Sequence, residues 1–586
     1  MSKTEKSRIN EQQKKAIEFE SGPLLVVAGA GTGKTRVITE RIKHLIQEWE
    51  IKSNEILALT FTEKASAEMS DRVGDIMPLG YGEPWVYTFH SFADRILRNE
   101  GLEIGLDTSY KVLSATEQYL LIRQNLFKFG LSYFLPLGNP TKFIWGIIKF
   151  ISRLQDEYIS PENFLGFANS YEGDEEEKKR WQELAGFYTN YQKIKITKSK
   201  MDFGDLINWT LRLFKTRPGV LKRYQNQFKH IMVDEFQDTN YAQYELIKLL
   251  YPLNSDKKLK RSLLAVGDDS QSIYKFRGAA VSNILEFMED FPKAETLTLL
   301  QNYRSSQNIL DPAYKLIQNN NPDTLESKLK ISKKLVSEID KKGISPQIYE
   351  LETMEDEVNV VLKRLMEIIA KEPQYSYKDF AILARANNHL DPFLLALRKS
   401  EIPYQLVGSR GLYDRDEIRN IIALLRIIVN PNDSISLYRV LNIPCLNVSG
   451  EAITGLFSFA KLNKTPLWQV VKESENEQVK FAVEKTLECQ TNITKKTPSE
   501  ILYNLVRDIK FIDELLKEET LENQLAIKNL DLFLNIVKNF EVSYRNENKE
   551  LPTLIDFVEY LNLMIEAGEN PSQAEIEDID TVNLLT

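Results

Sequence analysis

An α/β fold is predicted, with two cores of parallel strands, each interrupted by a long helical insertion. Three observations predict it. Short apolar runs, each followed by a helix-like stretch, recur from Leu24 to Leu300 and again from Gln347 to Ala384. Polar residues gather at the C-terminal ends of these runs, and in a parallel sheet those ends line the edge where ligands bind. The stretches 93–199 and 391–574 instead carry a helical pattern with little that suggests chemistry. The expected division is a first core from 1–92 and 200–292, and a second from 293–390 and 575–586.

The first element is a helix over Ile9 to Ala16, with Asn10 as its N-cap. Gln13 lies in it, and its side-chain amide offers a donor and an acceptor that suit an adenine edge. Leu24-Leu-Val-Val then reads as a buried parallel strand. It runs into Ala28-Gly29-Ala30-Gly31-Thr32-Gly33-Lys34-Thr35-Arg36, and Val37, Ile38, Ile42 and Ile46 behind it have helical spacing. Strand, glycine-rich turn and helix N-terminus together form a phosphate cradle. Glycines let the backbone approach a polyphosphate, whose charge the amide N–H groups and the helix dipole hold. Lys34 is placed to reach the β- and γ-phosphates, and the Thr35 hydroxyl to bind Mg²⁺.

Further apolar runs follow in order. Ile56 to Thr62 is a strand ahead of a helix from Glu63, and Val86 to Phe92 is a third apolar segment ending in polar and aromatic groups. Gly173 to Arg180 is the most polar stretch of the first insertion and reads as a solvated face. The α/β pattern resumes at Met201 to Leu206 and continues through His230 to Asn240, Ser262 to Asp268 and Thr296 to Leu300. A second βαβ unit is expected from a strand at Gln347 to Leu351, a helix at Glu355 to Ile369 and a strand at Phe380 to Ala384. Thr581 to Thr586 reads as one more strand.

Chemistry concentrates at the strand ends. In Val233-Asp234-Glu235, Asp234 is expected to help hold Mg²⁺ and Glu235 to activate an attacking water. Gln271 follows another strand, where it can orient water or sense a γ-phosphate. Beyond it, Tyr274 and Phe276 alternate with Lys275 and Arg277, a pattern that suits either stacking on unpaired bases or ordinary core packing. Arg304, after Tyr303, is placed to act as an arginine finger or to form a surface ion pair.

Composition sets the outer limits. A hydrophobic content of 42% and a charged content of 27% describe an ordinary globular protein. Two cysteines, Cys445 and Cys489, cannot build a disulfide framework, and no apolar run is long enough to span a membrane, so a cytoplasmic protein is expected. The net charge of −9 argues against a wholly basic nucleic-acid coat protein but leaves room for a local basic groove, so overall charge discriminates weakly.

The combined order of motifs resembles the UvrD/PcrA/Rep-type superfamily 1 DNA helicases. The matching residues run from Asn10 to Gln13, Ala28 to Thr35, Thr60 to Ala65 and Thr88 to Ser91. They continue through Asp202-Phe203, Asp234 to Asn240, Gly267 to Gly278, Asn302 to Ser305 and Ile402 to Tyr404. The resemblance implies a 3′→5′ translocase on single-stranded DNA and at single-strand/duplex junctions. ATP and Mg²⁺ would be bound between two RecA-like cores with P-loop architecture, and repair or replication proteins would be partners. It further implies that Gln13 reads the adenine and Tyr303 stacks on it. Phe61, Thr62, His90, Tyr274 and Phe276 would touch DNA, and Gln271 would couple the two sites. Phe276 stands where many relatives have Trp, Ser270 replaces a common acidic residue, and Cys445 to Gly450 replaces an Arg-Gly-Ile-Gly-like turn that would meet duplex DNA. Val582 to Thr586 matches the start of a late motif whose remainder, with a second γ-phosphate arginine, is not in the sequence, so an incomplete second core is expected. Two other readings remain open: a module that binds ATP and DNA without useful catalysis, and the helicase part of a helicase–nuclease subunit.

Overall fold

The computed structural model describes residues 9–74, 84–252, 260–273, 281–339, 343–406, 411–566, 570–574 and 579–586. The chain forms two compact units, Met1–Ile348 and Tyr349–Thr586.

In the first unit the strands are β1 (Gly22–Ala28), β2 (Ile56–Thr60), β3 (Trp85–Thr88), β4 (Lys111–Val112), β5 (Lys200–Met201), β6 (His230–Val233), β7 (Ser262–Gly267), β8 (Glu295–Leu299), β9 (Gln301–Asn302) and β10 (Val336–Ser337). Six of them make a parallel sheet in the order β3-β2-β6-β7-β1-β8. Alternation along each strand explains the continuous apolar runs. Leu25, Val27, Leu57, Leu59, Ile231 and Val233 enter the core on one face, while Leu24, Val26, Ile56, Ala58 and Met232 enter the core on the other. A sheet covered on both faces has no polar face along its length. Its chemistry is therefore confined to the strand ends.

Helix α1 (Glu11–Ile17) precedes β1, while α2 (Lys34–Gln47), α3 (Glu63–Gly74) and α4 (Phe89–Glu100) follow β1, β2 and β3 in turn. The first insertion is helical as expected, with Ile144–Asp156, Pro161–Ser170 and Glu175–Thr197 among its helices. Asp174 caps the last of these, and the charged run around it is largely exposed.

The second unit holds a smaller parallel sheet in the order β11-β13-β12, from β11 (Ala381–Leu383), β12 (Tyr404–Leu406) and β13 (Val582–Leu585). Its core comes from helices Met354–Lys371 and Asp391–Lys399. A separate helical cluster runs from Leu412 to Leu561. Among the described residues, no helix is long and apolar enough to cross a membrane.

The structure differs from the sequence expectation in three places. No strand is assigned over residues 347–351, where Ile348, Tyr349 and Leu351 are exposed. Met201 to Leu206 is not another strand of the large sheet. Instead β5 ends at Met201 against β4, and Asp202 caps a helix, Phe203–Thr216. The third apolar run changes from β3 to α4 at Thr88, whose hydroxyl accepts from the Ser91 amide.

Candidate functional site

The site is built where β1, β6 and β7 end. At the end of β1 the chain turns through Gly31 (φ +78°) and Gly33 (φ +86°) into α2. A Cβ at Gly31 would lie 2.6 Å from the Arg304 Cβ, and one at Gly33 would lie 2.9 Å from the Gln13 Nε2. Both glycines are therefore needed for space as well as for conformation. The helix α2 begins at Lys34, so its unpaired N–H groups face the loop.

Gln13 is buried beside this turn. Its Nε2 donates to the Thr32 carbonyl (2.9 Å), and its Oε1 accepts from the Asn10 amide (3.1 Å) in a capping box. The adenine-facing amide expected from sequence is thus held against the loop itself. Asn10 in turn donates to the Tyr303 hydroxyl (2.9 Å), while the Tyr303 amide donates to the Gly31 carbonyl (2.9 Å). Asn302 Nδ2 donates to the Ala30 carbonyl (2.6 Å), and its Oδ1 accepts from the amides of Arg304 and Ser305. These bonds carry Tyr303 and Arg304 to the loop, with the Tyr303 ring 40% exposed. Arg304 is exposed, and its guanidinium has no ion pair among the described residues.

Across the loop, the Lys34 ammonium lies 2.6 Å from Glu235 Oε2 and 3.0 Å from Gln271 Oε1. Thr35 Oγ1 is 3.4 Å from Asp234 Oδ2. Burial, followed by the like charge of Glu235, pushes the Asp234 carboxyl up to about 6. Glu235 itself sits in left-handed backbone (φ 47°), a strained position for a side chain of this kind at a strand end. A hydroxyl and a buried carboxylate converging beside a lysine and a glycine turn are a donor set that suits a hard divalent cation shared with phosphate oxygens.

Two residues join these groups into a ring. Gln237 Nε2 donates to Glu235 Oε2 (2.8 Å), and Gln237 Oε1 accepts from the Asp268 amide (3.0 Å). Asp268 Oδ2 accepts from Gln271 Nε2 (2.8 Å), which closes the circuit back to Lys34. Gly267 is required here, since a Cβ there would come within 2.6 Å of Gln237 Oε1.

Phe61 and Thr62 line a cavity of about 550 Å³ with Glu235, Gln237 and Gln271. His90, at the start of α4, packs edge-on against Phe203 with centroids 5.7 Å apart. Burial pushes its imidazole down to about 4. Tyr274 and Phe276 lie outside the described residues. The loop, Gln13, Asp234, Glu235, Gln271, Tyr303 and Arg304 are brought together, whereas His90 belongs to a neighbouring strand end. Sequence reasoning missed Gln237 and Asn302, which lie inside motifs that it read, and Lys333, which carries no local signal.

Residues 9–292 match the UvrD/REP helicase N-terminal domain, and residues 297–586 match the UvrD-like helicase C-terminal domain. The ATP-dependent DNA helicase PcrA of Staphylococcus epidermidis is 35% identical over 588 residues, which span 99% of this chain and 75% of that protein. Its namesake in Staphylococcus aureus is 34% identical over 596 residues, with the same coverage of each chain. Matches over both halves place this chain in the UvrD/REP helicase family.

Proposed function

We propose that this chain is an ATP-dependent DNA helicase that moves 3′→5′ along single-stranded DNA. The observation that carries the reading is the closed ring of Lys34, Glu235, Gln237, Asp268 and Gln271 at the strand ends of a family-typical core. In it, loop residues 28–36 hold the triphosphate and Lys34 leaves Glu235 and Gln271 for the β- and γ-phosphates. Thr35 and Asp234 would hold Mg²⁺, which when bound neutralises charge on the phosphate oxygens. Glu235, freed of its lysine partner, accepts a proton from the attacking water; Gln271 orients that water, and Arg304 meets charge that develops on the transferred group. Gln13 and Tyr303 hold the adenine, Gln13 exchanging its contact with Thr32 for the base.

Phe61, Thr62 and His90 are proposed to face DNA, with Tyr274 and Phe276 stacking on bases; such stacking is typically worth about 1–3 kcal/mol per base. Repair or replication proteins are the proposed partners. Unwinding of a duplex with a 3′ single-stranded tail, compared with the same duplex carrying a 5′ tail, tests the direction. Strand separation with ATP only on the 3′-tailed substrate is expected. Equal or preferential unwinding of the 5′-tailed one overturns it.

A further inference from the structure

Lys333 lies on the irregular stretch between a short helix, Leu325–Leu329, and β10. It is largely buried, and its ammonium meets Asp268 Oδ1 at 2.5 Å, Asp269 Oδ1 at 2.6 Å and Ser270 Oγ at 2.6 Å. All of its donors thus go to the turn that ends in Gln271. Burial works against this ammonium, but the two carboxylates outweigh it and hold its pKa above the ordinary lysine value. Asp268 offers its other oxygen to Gln271 (2.8 Å), so the lysine and the glutamine share one carboxylate.

The same stretch reaches the other wall of the site. The Lys333 amide donates to Glu326 Oε1 (3.1 Å), and the Leu325 amide donates to Asp269 Oδ2 (3.0 Å). Three residues beyond Lys333, β10 pairs with β9, with Val336 opposite Gln301 and Ser337 opposite Asn302. Tyr303 and Arg304 follow directly. Leu335 also packs on the phosphate loop, 3.0 Å from where a Cβ at Gly29 would stand.

We propose that Lys333 is a positioning residue that ties the turn carrying Gln271 to the strand pair carrying Tyr303 and Arg304. The groups on the two sides of the γ-phosphate then keep one fixed spacing. This rests on the ATPase reading above. The lysine itself touches no reacting atom. Its effect is geometric, and a displacement near 1 Å at a reacting centre costs about 100-fold in rate. Ser270 is the third acceptor of this lysine.

The test is a double-mutant cycle on the full chain with Lys333→Met and Gln271→Ala, reading kcat and KM for ATP with oligo-dT present. Lys333→Met is expected to lower kcat about 10- to 100-fold with KM within about twofold, and Lys333→Arg to recover most of the loss. In the Gln271→Ala background the same substitution is expected to lose little more. A purely structural role gives losses that multiply, and that result overturns the proposal, as does wild-type kcat in Lys333→Met. If Lys333→Met does not fold, Ser270→Ala takes its place in the cycle. Amide exchange gives a readout that needs no turnover. Lys333→Met should speed exchange in peptides 266–273 and 300–306 and leave peptide 56–60 unchanged, whereas unchanged protection over 300–306 overturns the tie. Absence of DNA-stimulated turnover in the wild type would defeat the helicase reading alone, since the exchange result still decides the role of Lys333.

Discussion

The six-stranded sheet of the first unit and the three-stranded sheet of the second follow the same parallel plan, but they differ in how they are covered. In the first, β1, β2, β6 and β7 are buried on both faces along nearly their whole length. In the second, β11 is open to solvent, with Leu383 74% exposed, and only alternate residues of β13 are buried. The consequence lies at the strand ends. Strands clamped from both sides hold Asp234, Glu235 and Gln271 within hydrogen-bonding reach of one lysine or of each other's partners. The described ends of β11, β12 and β13 bring no comparable set together. Rigid burial and crowded polar ends go together because aligned catalytic groups need supports that do not move.

The largest effects are expected at the site. Arg304→Ala is expected to lower DNA-stimulated ATP turnover by about 10³–10⁵, measured as phosphate release, with the melting temperature unchanged. Glu235→Gln should lower it by about 10²–10⁴ and leave nucleotide-analogue binding intact, since the lost function is proton acceptance. Leu383→Ala in the second sheet should leave turnover within about twofold; a loss comparable to either site variant would erase the contrast.

Stability sharpens the same contrast at smaller scale. Leu59, fully buried in β2, should cost about 2–5 kcal/mol on truncation to Ala. Leu383, mostly exposed, should cost less than about 0.5 kcal/mol. Denaturant titration of the two variants measures both. A further effect concerns acid. Burial, then the nearby charges of Arg41 and Lys229, pushes the His230 imidazole down to about 3. Between about 6.5 and 3 the unfolded chain therefore takes up a proton that the folded chain refuses, and stability falls as pH falls through that window. His230→Asn should flatten this dependence by about 1 kcal/mol per pH unit between pH 6 and 4.

Much of this was legible in the sequence, for identifiable reasons. A strand buried on both faces must be an unbroken apolar run, and the polar residues next to it must sit at its end; Leu24 to Thr35 and His230 to Asp238 show both. The strand expected over Gln347 to Leu351 had the right composition, but Ile348, Tyr349 and Leu351 stay exposed, and burial is not local information. Gln13 was found as a hydrogen-bonding residue, but its engagement with Thr32 depends on how α1 docks. Lys333 left no trace at all: among Lys330, Lys333 and Lys334 only the fold decides which one meets Asp268.

In the proposed reading, the phosphate loop and its ring of strand-end groups form an ATPase engaged by DNA. Phosphate release by the wild-type chain, with and without single-stranded DNA and beside Lys34→Ala, tests it most directly. Slow release alone, release at least about tenfold faster with DNA, and none above background for Lys34→Ala in either condition are expected. Release that is equally fast without DNA, or that persists in Lys34→Ala, would contradict it.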